Sequence, residues 1–260
     1  MTFAYIVWHV KPQLLEIGDF QIRWYGILFA AAFICGYYIM QSIFRREGLS
    51  DDLLDSLTMY MALGTIVGAR IGHCLFYEPG YYMQNPWEIL KIWHGGLASH
   101  GAAIGILIAL YYFSRKHNKP MLWILDRIAI VVALAGFFIR MGNLMNSEIY
   151  GVSTNMPWGF IFVTAGETTA KHPTQIYEGL AYFLLFVFLA YLYFCSRTLP
   201  HEGFLFAIFL IILFTVRFLI EFIKEEQVEF EKSMILNMGQ ILSIPFMVAG
   251  AYLLWRKKKV

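Results

Sequence analysis

The feature that most constrains this chain is a series of long apolar segments separated by short polar connections. A helix needs about 20 residues to cross a hydrocarbon core of about 30 Å. Apolar residues run continuously through these segments instead of alternating, which predicts helices and not barrel strands. We therefore predict an all-α, polytopic membrane protein that forms a single domain. Its seven transmembrane helices are expected at about residues 20–44, 53–77, 97–113, 122–140, 174–195, 203–223 and 235–255.

The distribution of basic residues predicts the orientation of these helices. Lysine and arginine concentrate in alternate connections, and the positive-inside rule places those connections in the cytoplasm. The N-terminus is then outside and the C-terminus inside. The net charge of +2 follows from this topology, so we expect no nucleic-acid partner. The residues that decide the orientation are Arg45, Arg46, Arg115, Lys116, Lys119, Arg197 and 256–259 on one side, against Lys11, Lys91, Lys171, Lys224 and Lys232 on the other.

Polar residues inside the predicted helices lie almost entirely in their outer halves. In the inner halves the exceptions are Asp126 and Arg127. Polar groups at membrane depth are costly and usually functional, so this one-sided layer predicts a site near the outer surface. The residues that form the layer include Arg70, His73, Tyr77, His100, Arg140, Asn143, Arg217, Glu221 and Lys224.

Three of these residues are arginines, Arg70, Arg140 and Arg217. Guanidinium groups match phosphate in a bidentate geometry, so the arginines indicate an anionic phospholipid headgroup as a ligand. Simpler interpretations exist for single features. Arg217 and Glu221 have the spacing of an ordinary helical ion pair, and glycines spaced by four at 64, 68 and 72 are typical of close helix packing. These patterns alone leave open whether the lipid is transported, sensed or consumed.

Several longer motifs accompany the arginines. The run RMGNLMNSEIYG occupies residues 140–151. Further motifs are RWYG at 23–26, GGLASHG at 95–101, HPTQIYE at 172–178, RFLIEF at 217–222 and MGQILSIP at 238–245. In their sequence and order these motifs resemble the bacterial prolipoprotein diacylglyceryl transferases, and the resemblance extends from the first predicted helix to the last.

The resemblance implies an enzyme of the bacterial inner membrane with its active site toward the outer leaflet. Such an enzyme transfers the diacylglyceryl group of phosphatidylglycerol to the lipobox cysteine of a preprolipoprotein signal peptide. A thioether forms and glycerol phosphate leaves, in the first step of lipoprotein maturation. No cofactor and no metal are implied. A non-catalytic lipid flippase or a seven-helix receptor are the alternatives, but a flippase needs polar groups through both leaflets.

The resemblance also implies roles for individual residues. His100 is the expected base for the thiol, and Arg140 and Arg217 are expected to stabilise charge on the departing phosphate. Glu221 is expected to orient Arg217. Residues 141–173 are expected to form an extracytoplasmic cover, with a hairpin near 158–163, and Lys224 stands where we expect arginine. The residues expected to bind substrate, either directly or by holding the Arg140 loop, are Tyr25, Arg70, Arg140, Asn143, Asn146, Glu148, Gly151 and Glu221.

Overall fold

The structure is a computed structural model that describes residues 5–17, 20–92, 95–196, 200–225 and 235–256. Among the residues used to predict orientation, Arg197, Lys232 and 257–259 lie outside this range. The described chain is mostly helical, with four short strands. Its elements are β1 (Ile6–Trp8), β2 (Gln13–Ile17), β3 (Phe20–Arg23), α1 (Trp24–Arg46), α2 (Asp51–Phe76), α3 (Pro79–Gln84), α4 (Ser99–His117), α5 (Met121–Met145), β4 (Phe160–Phe162), α6 (Thr174–Cys195), α7 (Phe204–Ile220) and α8 (Met238–Trp255), with short 3₁₀ turns at Pro86–Leu90, Val163–Ala165 and Glu221–Ile223.

Within the described ranges, six helices are long and apolar enough to cross a membrane. They are α1, α2, α5, α6, α7 with its following turn, and α8. The predicted span at 97–113 corresponds to α4, which is 19 residues long. It begins with Ser99 and His100 and ends with the basic residues 115–117, which makes α4 less apolar than the other six.

The chain divides into two compact units, residues 1–39 with 125–260 and residues 40–124. In the first unit, the predicted opening helix starts later than expected. Residues 20–23 form β3, which pairs antiparallel with β2, and α1 begins only at Trp24. The apolar run therefore includes a strand, because pairing with a neighbouring segment satisfies the backbone of Phe20–Arg23 outside the helix.

The predicted hairpin near 158–163 is confirmed in part. Phe160 of β4 forms an antiparallel bridge with Lys171, later in the same segment, but the longer pairing of β4 is with another part of the chain. β4 pairs in parallel with β1 from the distant N-terminal segment, so that Ile6 lies opposite Phe160. Buried Phe160 and Phe162 pack with Leu144 at the end of α5, and the indole of Trp8 donates to the Leu144 carbonyl oxygen at 3.1 Å. A partner so far away in sequence could not be identified from a local pattern.

Asp126, one of the exceptional polar residues of the inner halves, serves the fold. Its carboxylate oxygens accept hydrogen bonds from the backbone amides of Gly203, at 2.7 Å, and Phe206, at 2.9 Å. These amides open α7 and would otherwise lack partners inside the protein. The side chain of α5 thus caps the N-terminus of α7 and joins the two helices.

In the second unit, α2 and α4 pack closely through glycines. A Cβ atom placed at Gly68 would collide with the backbone of Gly101 and Gly105, and one at Gly72 would collide with Gly101. The predicted packing role of the glycines spaced by four is therefore confirmed. This contact runs antiparallel along most of both helices and leaves Leu110 and Phe113 of α4 fully buried.

Candidate active site

The site of the first unit is built around a strained turn after α5. The helix continues past the predicted end at residue 140 to Met145, so Arg140 and Asn143 lie one turn apart on it. Ser147 and Ile149 then adopt left-handed φ values of 53° and 60°. This conformation is unfavourable for a β-branched residue and persists only where its surroundings enforce it. Glu148 therefore lies between two residues in the left-handed conformation.

Arg140 is held by side chains from two helices. Its Nε atom lies 2.6 Å from Oε2 of Glu178 on α6, and its side chain is only 11% exposed. Its Nη1 atom donates to Oδ1 of Asn143 at 3.0 Å, and the guanidinium also donates to the hydroxyl of Tyr182. Such charge-assisted contacts fix the plane of the guanidinium group.

Glu148 gathers the amides of the same motif. Its Oε1 atom accepts from Nδ2 of Asn143 at 2.8 Å and from Nδ2 of Asn146 at 3.2 Å. Tyr25 of α1 lies within electrostatic range of Glu148 and Arg140. Its ring covers Gly142 so closely that a Cβ atom there would contact it at 2.7 Å. Tyr25, Arg140, Asn143, Asn146 and Glu148 are therefore brought together as predicted.

Glu178 is the centre of a second set of ion pairs. Its Oε1 atom accepts from Nζ of Lys224 at 3.1 Å, and Lys224 also reaches Oε2 of Glu221 at 3.3 Å. The backbone of Gly151 pairs with that of Lys224 as an antiparallel bridge. A Cβ atom at Gly151 would collide with the carbonyl oxygen of Ile223, so only glycine fits there. Lys224, where arginine was expected, thus bridges two carboxylates.

Glu178 lies in the motif at 172–178, but no role for it was predicted from the sequence. Gln175, Glu178 and Tyr182 lie at positions i, i+3 and i+7 of α6 and are all buried. Residues at that spacing share one helix face. A polar stripe along an otherwise apolar helix was the signal that could have identified Glu178 as a partner of the arginines.

Arg217 differs from Arg140 in its partners. It is half-buried near the end of α7, and Tyr182 lies within range of its charge. Glu221, expected to orient Arg217, is instead bound by Lys224, and the part of the chain that the structure describes contains no ion pair between Arg217 and Glu221.

His100 lies in the second unit, at the beginning of α4. Its exposed ring stacks on Tyr77 with centroids 5.7 Å apart, and Tyr77 stacks in turn on His73 at 5.5 Å. The ring of Phe76 meets His100 edge-on at 6.1 Å. The aromatic stack orients the imidazole while leaving it accessible.

Arg70, also in the second unit, was expected to bind an anion but contacts backbone oxygens. Its Nε atom donates to the carbonyl of Ile89 at 2.9 Å, and Nη1 donates to the carbonyls of Gly95, at 2.5 Å, and Gly96, at 3.2 Å. Its Nη2 atom donates to the carbonyl of Glu88. Arg70 is buried, and these contacts join the segment before α4 to α2.

The segment after the strained turn carries its own polar contacts. Burial alone would lower the pKa of Lys171, but hydrogen bonds and charges from Glu225 and Glu167 outweigh it and raise that pKa. Burial, followed by the hydrogen bond to Glu167, raises the pKa of Tyr150. Burial lowers the pKa of His172, which favours the neutral imidazole. Among the described residues, no three His, Cys, Asp or Glu side chains are grouped to hold a metal ion.

Comparison with known proteins identifies the family. The profile of the family described as "Prolipoprotein diacylglyceryl transferase" matches residues 12–256. The chain belongs to this family. Three curated relatives bear the name phosphatidylglycerol–prolipoprotein diacylglyceryl transferase. That of Tolumonas auensis is 46% identical over 96% of both chains, that of Chloroherpeton thalassium 44% identical over 99% of this chain and 96% of its own, and that of Bacteroides fragilis 40% identical over 98% and 97%.

Membership of the prolipoprotein diacylglyceryl transferases confirms the resemblance carried by the motifs. The match extends over nearly the whole chain, including both units. Within the first unit, the motif at 140–151 and the motif at 172–178 meet through Arg140 and Glu178. His100 and Arg70 belong to the other unit, where the stack and the backbone contacts described above surround them.

Proposed function

We propose that this chain transfers the diacylglyceryl group of phosphatidylglycerol to the thiol of a lipobox cysteine in a preprolipoprotein. The observation that carries the proposal is the name shared by relatives that match nearly all of the chain. The buried, arginine-containing site supports it, because the reaction expels a phosphate monoester. No cofactor is needed for this displacement.

The reaction begins with activation of the thiol. His100 removes the proton from the cysteine thiol, since an ordinary thiol is only a few per cent thiolate at neutral pH. The sulfur then attacks the terminal methylene carbon of the diacylglyceryl group and forms a thioether. The bond from that carbon to the phosphate oxygen breaks, and glycerol phosphate leaves with the bonding electrons. The proton remains on the imidazole until solvent accepts it.

The two arginines have different parts in this step. Arg217 binds the phosphate directly from its half-buried position near the end of α7, beside Tyr182. Arg140 is held in place by Glu178 and contributes positive charge from a fixed position. Preorganised charge of this kind is worth about 10²–10³ in rate for each donor.

The remaining predicted residues support the substrate or the site. Tyr25 donates to an ester or phosphate oxygen of the lipid, and Asn146 and Glu148 contact its glycerol headgroup. Asn143, Gly151 and Glu221 act by holding neighbouring residues, as their contacts with Glu148, Ile223 and Lys224 indicate. Arg70 positions the segment that leads to His100 instead of binding an anion.

We further propose that α4 is the seventh membrane crossing. Although less apolar than the other six, it packs antiparallel to α2 over most of its length, as a neighbouring span would. Seven crossings place the N-terminus outside and the C-terminus inside, in agreement with the basic residues of the connections. The active site then faces the outer leaflet of the bacterial inner membrane, and residues 141–173 cover it.

The test is a transfer assay with purified protein, phosphatidylglycerol vesicles and a peptide that contains a lipobox cysteine. We expect lipidated peptide and glycerol phosphate in equal amounts, and no product from the same peptide with serine in place of cysteine. Arg217→Ala is expected to lower turnover by about 10²–10³-fold, while it retains the folded helical content.

Arg45→Ala is the matched control for Arg217→Ala, because it removes an exposed guanidinium whose Nη2 atom lies 3.9 Å from Oδ2 of Asp51. It should leave turnover unchanged. Lipid binding without any product in the wild-type protein would favour a non-catalytic phospholipid-binding protein. Normal turnover of Arg217→Ala would remove the leaving-group role of that residue.

A further inference from the structure

Two amide side chains near Glu148 have carbonyl oxygens with no hydrogen-bond partner among the residues that the structure describes. They are Oε1 of Gln175 and Oδ1 of Asn146, and both atoms are buried. Gln175 is fully buried at the start of α6. A buried acceptor that lacks a donor costs about 1–3 kcal/mol, so each such atom in a folded protein calls for an explanation.

The orientation of both amides is fixed by Glu148. Nε2 of Gln175 donates to the backbone carbonyl of Glu148 at 2.7 Å, and Nδ2 of Asn146 donates to its Oε1 atom at 3.2 Å. Rotating either amide by half a turn would bring two acceptors together, which is unfavourable. The carbonyl oxygens must therefore face away from Glu148, toward whatever supplies a donor.

A third amide in the same cluster shows the contrast. Asn143 accepts from Arg140 through Oδ1 and donates to Glu148 through Nδ2, so both of its polar atoms are engaged within the protein. Asn143 therefore serves to connect Arg140 with Glu148. The NH₂ groups of Gln175 and Asn146 also donate to Glu148. Their carbonyl oxygens have no donor among the described residues.

The turn that holds these acceptors is strained, which supports a role beyond packing. Ser147 and Ile149 are both in the left-handed region, and they flank Glu148. Strain at non-glycine residues concentrates at ligand-binding sites, where neighbouring contacts maintain it. Here those contacts come from Gln175, on the Glu148 carbonyl, and from Thr174, whose hydroxyl donates to the Ile149 carbonyl at 2.9 Å.

We propose that Gln175, together with Asn146, accepts hydrogen bonds from the hydroxyl groups of the substrate headgroup and makes the enzyme selective for a polyol headgroup. This inference rests on the proposed function. A hydroxyl supplies the donor that both carbonyl oxygens lack, and the adjacent carboxylate of Glu148 adds a further acceptor. Neither an alkyl headgroup nor a free phosphate ester without hydroxyls offers such a donor.

The experiment compares two lipids in the transfer assay, phosphatidylglycerol and phosphatidylpropanol. The second keeps the phosphate and the three-carbon headgroup but lacks both hydroxyls. We expect wild-type kcat/KM to favour phosphatidylglycerol by at least about tenfold. Gln175→Met, which keeps the length of the side chain without its amide, should reduce that ratio by about tenfold, mainly through KM for phosphatidylglycerol.

Thr174→Val is the matched control, because it removes the neighbouring hydrogen bond to the same strained turn without touching an unpaired acceptor. It should change the rates on both lipids equally and preserve the ratio. If Gln175→Met does not fold, the wild-type ratio and the same measurement on Asn146→Ala, expected to reduce it, decide the question.

The possible failures are distinguishable. Equal wild-type activity on both lipids would overturn the headgroup inference, since the acceptors would then be satisfied by water, and would leave the transferase function intact. An unchanged ratio in folded Gln175→Met, or an equal loss of the ratio in Thr174→Val, would overturn the role of Gln175. Absence of wild-type transfer on either lipid would instead contradict the proposed function.

Discussion

Arg140 and Arg70 are both buried arginines on apolar helices, one in each unit, yet their partners differ in kind. Arg140 contacts side chains, namely the carboxylate of Glu178, the amide of Asn143 and the hydroxyl of Tyr182. Arg70 contacts backbone carbonyls before α4. The partners of Arg140 depend on which side chains are present, whereas those of Arg70 depend on the path of the backbone.

Burial of an arginine therefore does not identify its role. A guanidinium held by backbone carbonyls completes the hydrogen bonding of a segment and so stabilises its conformation. A guanidinium held by a carboxylate, within a chain of four alternating charges, is part of an electrostatic arrangement that a phosphate can join. These contacts support the proposed catalytic role of Arg140 and a role of Arg70 in local stabilisation.

The largest effect that would test this difference is expected from Glu178→Gln. The variant leaves Arg140 and Lys224 without their shared carboxylate, and breaking a buried ion pair costs about 3–5 kcal/mol. Turnover should fall by about 10²-fold or more as Arg140 loses its fixed position. Thermal unfolding in detergent and the transfer assay measure the two effects.

Glu221→Gln is the comparison for Glu178→Gln, because it removes a more exposed carboxylate and leaves both ion pairs of Glu178 in place. Its losses of stability and turnover should be clearly smaller. If the two variants behave alike, or if Glu178→Gln turns over normally, then the side-chain contacts of Arg140 are only structural and the contrast with Arg70 fails.

A smaller effect is expected from Arg70→Met. Loss of the guanidinium leaves the carbonyls of Ile89, Gly95 and Gly96 without this donor, at a cost of about 1–3 kcal/mol for a buried group. Limited proteolysis should then cut within residues 79–92 faster than in the wild-type protein. Turnover should decrease less than in Glu178→Gln.

Lys91→Met gives the control for Arg70→Met, since it removes a partly exposed cation from the same segment, where it pairs with Glu88. It should change neither proteolysis nor turnover appreciably. Abolished turnover in Arg70→Met without faster proteolysis would mean that Arg70 acts on the substrate itself, and the two arginines would then be alike.

The smallest effect concerns Tyr77, through which the second unit orients His100. Tyr77→Ala removes the stack, which is worth about 0.5–1.5 kcal/mol for an aromatic pair, so turnover should decrease by no more than about tenfold. Tyr77→Phe keeps the ring and should restore the wild-type rate and its dependence on pH. Failure of Tyr77→Phe to restore the rate would show that the hydroxyl, and not the stack, matters.

Much of the architecture was predictable because it depends on local pattern. Continuous apolar runs identified the long helices, and the glycines at 64, 68 and 72 identified a close contact before its partner was known. The pairing of β4 with β1 was missed for the opposite reason. β1 and β4 lie about 150 residues apart in the chain, and no local pattern encodes such a pairing.

The sequence by itself determined the family, through motifs whose residue types and spacing extend over nearly the whole chain. It also determined which residues are too polar for an apolar helix, since their transfer from water is costly wherever they lie. Only the tertiary structure decided which polar residues meet. Glu178 joins Arg140 to Lys224, and Gln175 retains an unpaired acceptor, because hydrogen bonds and ion pairs act over a few ångströms between segments that are distant in sequence.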